Sequence, residues 1–437
     1  MGYRSSPAEQ SPLRSRNVLV AAVVLLVIAV AVSVVLVTRN DDQPAAARTS
    51  ASSTSAPSER SIPSRPYVDR AGIDRSNLPE GVGDPAALVT RAEPSPVTLN
   101  ATEVVQACSL LTVEHVRELP QLRESGIFPL QVSRRFFDGA STFTVDAPDL
   151  YAGATENECR YTLYPTGLLS IAVLQPAYHP AGELDLSVRK EYRDAGTVAG
   201  FDLYKRRRAK DPAQRDADFL LRDGDAAVVV RLDELRDAQP EIVDPLAKDL
   251  LEAVAANYGR EAAAPSGPPR SVYDTPAFTA PYLHSCDVLT ADDLREQRYG
   301  DVYPLVEEDF PATSSVMQRD EPRELTTAMV QNACTRMVVA EGSPVGVSLN
   351  SMSFLDRRGA EVLLSELREE WGGSDIPVDV GDDAFFAKVL KEPQIVVRSD
   401  RFMLIVSAPD MKGMDKQQFI ETFGPITQTI VSNSQDG

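Results

Sequence analysis

Two similar stretches, 178 residues apart, each open on a cysteine and are each followed by one more, which accounts for all four cysteines of the chain. Cys108-Ser-Leu-Leu-Thr112 is followed by Cys159, and Cys286-Asp-Val-Leu-Thr290 by Cys334. Later landmarks keep the same spacing. Leu184, Val188 and Tyr192 correspond to Leu363, Leu367 and Trp371, Gly200 to Gly381, and Arg222 to Arg398. Val243, Pro245, Leu246 and Leu250 correspond to Phe423, Pro425, Ile426 and Ile430, and all offsets lie between 175 and 181 residues. Chance does not hold so narrow a band, so the folded part reads as a tandem duplication of units of single-domain size.

The spacing within each unit predicts its elements. Thr112 and Thr290 are natural N-caps with acids in the following turn, so a short helix starts at each. Around Cys159 and Cys334 the pattern turns to strands, with hairpins turning at Pro165-Thr-Gly167 and Glu341-Gly-Ser-Pro344. Leu184, Val188 and Tyr192, like Leu363, Leu367 and Trp371, recur at i, i+4, i+8 and predict an amphipathic helix closed by Gly196 or Gly372. A second hairpin follows at 218–232 or 394–407, then a last helix at 241–258 or 416–432. The expected fold class is α+β, two tandem modules preceded by one transmembrane helix. Each module is an antiparallel sheet packed against helices in the order helix, hairpin, helix, hairpin, helix.

Val18 to Val37 is apolar apart from Ser33, and a run of about 20 residues matches the ~30 Å hydrocarbon core of a bilayer. Arg4, Arg14 and Arg16 precede it and Asp41 and Asp42 follow it, which keeps the N-terminus cytoplasmic and the rest outside. The rival reading is a cleaved signal peptide with a site at Ala45-Ala46-Ala47. The run exceeds the usual h-region of about 7 to 15 residues and that site lies well beyond it, so a signal-anchor is the expectation. The domain plan is then a cytoplasmic tail (1–17), the span (18–37), an Ala/Ser/Pro-rich stalk (38–98), the first module (99–260), a Pro-rich linker (261–281) and the second module (282–437). The stalk has little to bury and cannot offset its ordering entropy.

An even number of cysteines in an exported segment implies two disulfides, and of the three pairings the duplication favours Cys108 with Cys159 and Cys286 with Cys334. A net charge of -20 argues against a nucleic-acid partner. The three histidines, His115, His179 and His284, have no counterparts in the other unit and share no metal-ligand spacing. No nucleophile elbow, P-loop, dinucleotide fingerprint or C-x-x-C pair occurs, so no catalytic, cofactor-binding or metal residue is assigned. The carboxylate runs Glu307-Glu-Asp309 and Gly381-Asp-Asp383 read as solvated surface, with a glycosidase-like pair as the sharper alternative. One basic cluster, Lys205-Arg206-Arg207-Arg208, with Arg134-Arg135 and Lys210 as neighbours to consider, is a candidate site for an anionic envelope group. The second unit has Phe386-Ala-Lys-Val389 there, so the modules do not share a basic site.

Each unit resembles the actinobacterial cell-envelope domains of unknown function that open with Cys-x-Leu-Leu-Thr. The residues that carry the resemblance are Cys108 to Thr112, Cys159 with Tyr161, and Gly200 to Tyr204 in the first unit. In the second they are Cys286 to Thr290, Cys334, and Gly381-Asp-Asp-Ala-Phe385. Phe201 and Leu203 depart from the family pattern, as do the duplication and the helix anchor. The resemblance implies an envelope protein without an established catalytic residue. The expectation is a single-pass membrane protein whose extracytoplasmic part binds an envelope ligand or protein partner without enzymatic activity. A scaffold subunit of a secretion or division complex is the alternative, and a carboxylate-dependent hydrolase the second.

Overall fold

The computed structural model describes residues 87–139, 157–165, 167–179, 181–207, 217–235, 240–274, 281–297, 299, 301–312, 315–319, 325–340, 343–377, 379–411 and 413–436. The expected span at Val18–Val37, the stalk up to residue 86, and Arg208 lie outside these. Among the described residues no helix is long and apolar enough to cross a membrane.

The chain enters through β1 (Leu88–Arg91) and a small pair, β2 (Thr98–Leu99) and β3 (Thr102–Glu103). Three short helices follow, α1 (Ala107–Leu110), α2 (Val113–Glu118) and α3 (Pro120–Glu124). Then come β4 (Phe128–Phe137), β5 (Asn157–Tyr164), β6 (Leu168–Leu174), α4 (Ala181–Glu191), β7 (Tyr192–Val198), β8 (Phe201–Arg206), β9 (Ala217–Asp223), β10 (Ala226–Asp233) and α5 (Pro240–Ala263). A short strand, β11 (Arg270–Tyr273), leads to α6 (Ser285–Val288), α7 (Ala291–Glu296), β12 (Asp301–Pro311) and β13 (Ser315–Arg319). The chain ends with β14 (Leu325–Ala340), β15 (Ser343–Phe354), α8 (Arg357–Glu370), β16 (Ser374–Asp375), β17 (Asp383–Val389), β18 (Glu392–Ser399), β19 (Phe402–Ser407) and α9 (Lys416–Asp436).

The expected fold class is overturned. The molecule is mainly β, and both halves share one continuous antiparallel sheet of 15 strands with comparatively few helices. Its path is β16-β17-β18-β19-β15-β14-β12-β4-β5-β6-β10-β9-β8-β7, with β13 beside β14. Counted outward from the centre, each half runs first, second, third, seventh, sixth, fifth, fourth in chain order, so two copies of one topology meet edge to edge at β4 and β12. The helix-and-hairpin reading failed at three places, the first being that it left out β8, β16 and β17, outer strands of the sheet. It left β4 and β12 as connections, and they are the strands that fuse the sheets. It also took Tyr192 to Gly196 as the end of a helix, whereas α4 stops at Glu191 and Gly196 sits at a bulge in β7 with φ of 100°. Gly372, by contrast, follows α8 at φ 61°, the left-handed turn a helix C-terminus asks for.

Helices cover the sheet unequally. One face packs α1–α3 and α5 in the first half and α6, α7 and α9 in the second, around two cores that hold most of the large buried side chains. The prolines inside the long helices, Pro245 and Pro425, stand at equivalent positions, one residue before the buried Leu246 and Ile426. Among the described residues the helices on the opposite face are α4, over Ala172, Leu220, Ala227 and Val229, and α8, over Met352, Phe385, Val396, Met403 and Ile405, while at one end of the central strands Phe137 and Leu305 pack with Val97, Leu99, Val104, Ala177 and Tyr178.

Both expected disulfides form, Cys108–Cys159 and Cys286–Cys334, each tying a short helix to the second strand of its half. Closing a loop of this length removes on the order of 4 kcal/mol of unfolded-state entropy in the chain-entropy account. Thr112 and Thr290 cap α2 and α7, accepting from the His115 and Asp293 amides. Part of the expected stalk and linker is ordered, since β1 pairs with β11 across the helix-rich side.

Candidate functional site

Two charged runs of the sequence, Arg134-Arg135 and Glu307-Glu-Asp309, meet at the centre of the sheet, whereas Lys205 and Arg206 lie near its edge on β8. Arg134, opposite Cys159 on one side, pairs on the other with Glu308, itself opposite Cys334. These are equivalent positions, so the pseudo-twofold axis relating the halves passes between them. The Arg134 guanidinium donates through Nε to a Glu308 carboxylate oxygen at 2.6 Å, with both side chains 5 % exposed. Its Cζ lies 4.4 Å from the Phe136 ring centroid and 6.0 Å from that of Phe310. Beside them His284 is buried between Tyr282 and Phe310. Its Nε2 has no hydrogen-bond partner, and burial, then the guanidiniums of Arg270 and Arg134, push its pKa down to about 3.

The face that carries α4 and α8 is different between those helices. Cross-strand partners share a face, and one register row reads Asp218, Arg231, Ser170, Arg160, Ser133, Asp309, Ala333, Asn350 across eight strands. At about 4.8 Å per strand this polar band is about 34 Å wide. The parallel row on the same face reads Glu158, Arg135, Glu307, Thr335, Ser348, Ser407. The contents pair locally. Arg135 meets Glu307, Arg160 meets Glu158 at 2.9 Å, Thr335 meets Ser348 at 2.7 Å, and Gln331 donates to Asn350 at 3.3 Å. Gln131 donates to Asp309 at 3.3 Å. Burial raises the Asp309 pKa, and the Glu307 carboxylate adds to the effect against the hydrogen bonds of Ser133 and Gln131. The Arg135, Glu307 and Arg160 side chains remain 31 %, 38 % and 31 % exposed, so the floor is open to solvent. The sheet face between the two helices is thus polar over eight strands, without a large apolar side chain in either row.

Other sequence candidates fall elsewhere. Lys205 lies 5.2 Å above the Phe219 ring, Arg206 pairs with Glu191 and Asp218, and Arg207 donates to the Tyr192 carbonyl. The described members of that cluster are thus held by their own half. Asp382 and Asp383 pair with Arg398 and Arg368 and brace a turn. His115 closes a capping box and His179 donates its amide to Gln175 in a turn. A shallow cleft of about 480 Å³ beside the start of α9 is lined by Asp410, Met411, Met414 and Glu421 among others. Among the described residues no cluster of His, Cys, Asp or Glu is set to hold a metal.

Sequence reasoning missed Asn157 and Asn332, although both stand two residues before a second cysteine. Asn157 accepts from the Ala107 amide at 2.9 Å and donates to the Val105 carbonyl at 2.7 Å. Asn332 makes the same pair of bonds to Ser285 and Leu283, both at 2.6 Å. The repeated Asn-x-Cys was the available signal. No protein family, curated protein or solved structure matches this chain.

Proposed function

We propose that the chain is a non-enzymatic binding protein of a cell envelope, anchored by its apolar run at residues 18–37, with the polar floor between α4 and α8 as its recognition surface. The observation that carries this reading is the row from Asp218 to Asn350, a broad polar surface on a sheet stiffened by two disulfides. Its carboxylates are engaged, Glu307 by Arg135 and Asp309 by Gln131, which suits holding a ligand better than attacking one. A hydrolase reading draws on the same two acids, because burial raises the Asp309 pKa while Glu307 stands two residues away on the same face.

The test is retention of envelope extract, glycan and protein fractions alike, by the immobilised full chain. Asn350→Lys alters the floor, and Lys248→Glu, on the exposed side of α5, serves as the control. Material lost only from the floor variant supports the reading. Equal retention by all three proteins, or none by any, sinks it.

A further inference from the structure

Resting on that reading, we infer that the floor takes a neutral oligosaccharide chain, with Tyr164 against a sugar ring and the Glu158–Arg160 pair on its hydroxyls. Tyr164 ends β5 and, by alternation, points to the same face as Thr162, Arg160 and Glu158. It is 49 % exposed, and among the described residues only Leu390 joins it as an exposed large hydrophobic. Phe128 backs its ring at 5.1 Å and 27°, so the tyrosine is a supported plate rather than a loose side chain. A flat aromatic with a hydrated hydroxyl suits a ligand that is apolar on one face and polar at its rim.

Four and six residues back along the strand, about 13 and 20 Å away, stand Arg160 and Glu158. Their mutual bond uses Arg160 Nη2 and Glu158 Oε2. Arg160 Nε and Glu158 Oε1 are left without a hydrogen-bond partner, and Glu158 is 3 % exposed. An unmet donor beside an unmet acceptor is the complement of a hydroxyl, which both accepts and donates. Charge excludes the simpler ligands. Arg135 with Glu307 and Arg160 with Glu158 cancel in place, so the floor asks for neither an anion nor a cation. The distance from the plate to the Glu158–Arg160 pair fits several linked sugar units rather than one.

The experiment titrates the purified full chain with maltotetraose, cellotetraose and tetra-N-acetylchitotetraose by calorimetry, and the mixtures are then checked for cleavage. At least one probe is expected to bind with Kd below about 1 mM. Tyr164→Ala and Arg160→Met should each weaken it tenfold or more at an unchanged unfolding midpoint, while Tyr164→Phe keeps it. No saturable binding, or binding indifferent to these variants, overturns the sugar assignment. A neutral decapeptide that binds in place of the sugars, and is lost with the same variants, overturns it too but leaves the floor as a binding surface. Cleavage of a bound probe overturns the non-enzymatic reading and leaves the sugar assignment standing.

Discussion

At the scale of single residues, the centre of the sheet concentrates cost. Arg134 and Glu308 are both nearly fully buried, and removing one partner strands the other charge in a dry environment. Arg134→Ala is expected to lose about 3–5 kcal/mol in urea unfolding, whereas Arg134→Met with Glu308→Leu should lie closer to wild type. Equal losses for the single and double variants would contradict that. His284 adds a pH dependence with a definite sign. Its folded-state pKa, about 3, lies below the ordinary value near 6.5. The folded state therefore binds fewer protons, and the stability held above pH 6.5 drains as pH falls toward 3. By pH 5 the loss is on the order of 2 kcal/mol. Gln106 holds the equivalent position ahead of α1 and donates to the Phe137 carbonyl. His284→Gln should flatten the difference in unfolding free energy between pH 7.5 and 5; an unchanged slope would show that His284 is not its source.

At the scale of elements, each disulfide has a partner fastener between helix and sheet. Those partners are Asn157 and Asn332, each satisfying a buried amide and a buried carbonyl just before the cysteine-bearing helix. Asn332→Ala is expected to cost about 2–3 kcal/mol, since two buried backbone groups lose their partners; a loss below about 0.5 kcal/mol would remove the asparagine from this role. Local chemistry made the N-caps at Thr112 and Thr290 legible, because a cap depends on neighbours three residues away. The end of α4 was not. Tyr192 continues the helical period of Leu184 and Val188, yet it opens β7 and its hydroxyl donates to Asp218 at 2.9 Å, a partner from another strand. Periodicity records which face is apolar, not where the chain turns away.

At the scale of the whole molecule, the halves are joined by the strands that would otherwise be open edges, and an open edge invites further strand pairing. Charge on those strands selects the pairing. On a true twofold axis two first halves would set Arg134 against Arg134, and two second halves Glu308 against Glu308. The Arg336–Asp138 ion pair at 2.6 Å is a further link of one half to the other. Residues 1–274 and 281–437 made as separate chains should therefore form a one-to-one complex in preference to either homodimer. Light scattering and mixed-tag capture would reveal it, and homodimers of equal stability would refute the role of charge. Sequence alone determined the duplication and the cysteine pairing, because residue identities recur at a constant offset, and the caps, because they rest on neighbours three residues apart. Only the tertiary structure decided that two sheets are one, that Arg134-Arg135 and Glu307-Glu308 neutralise each other, and that the remaining polar residues line a common floor. Those facts depend on which strand lies beside which, and strand neighbours here come from residues some 170 positions apart, a relation that no local pattern encodes.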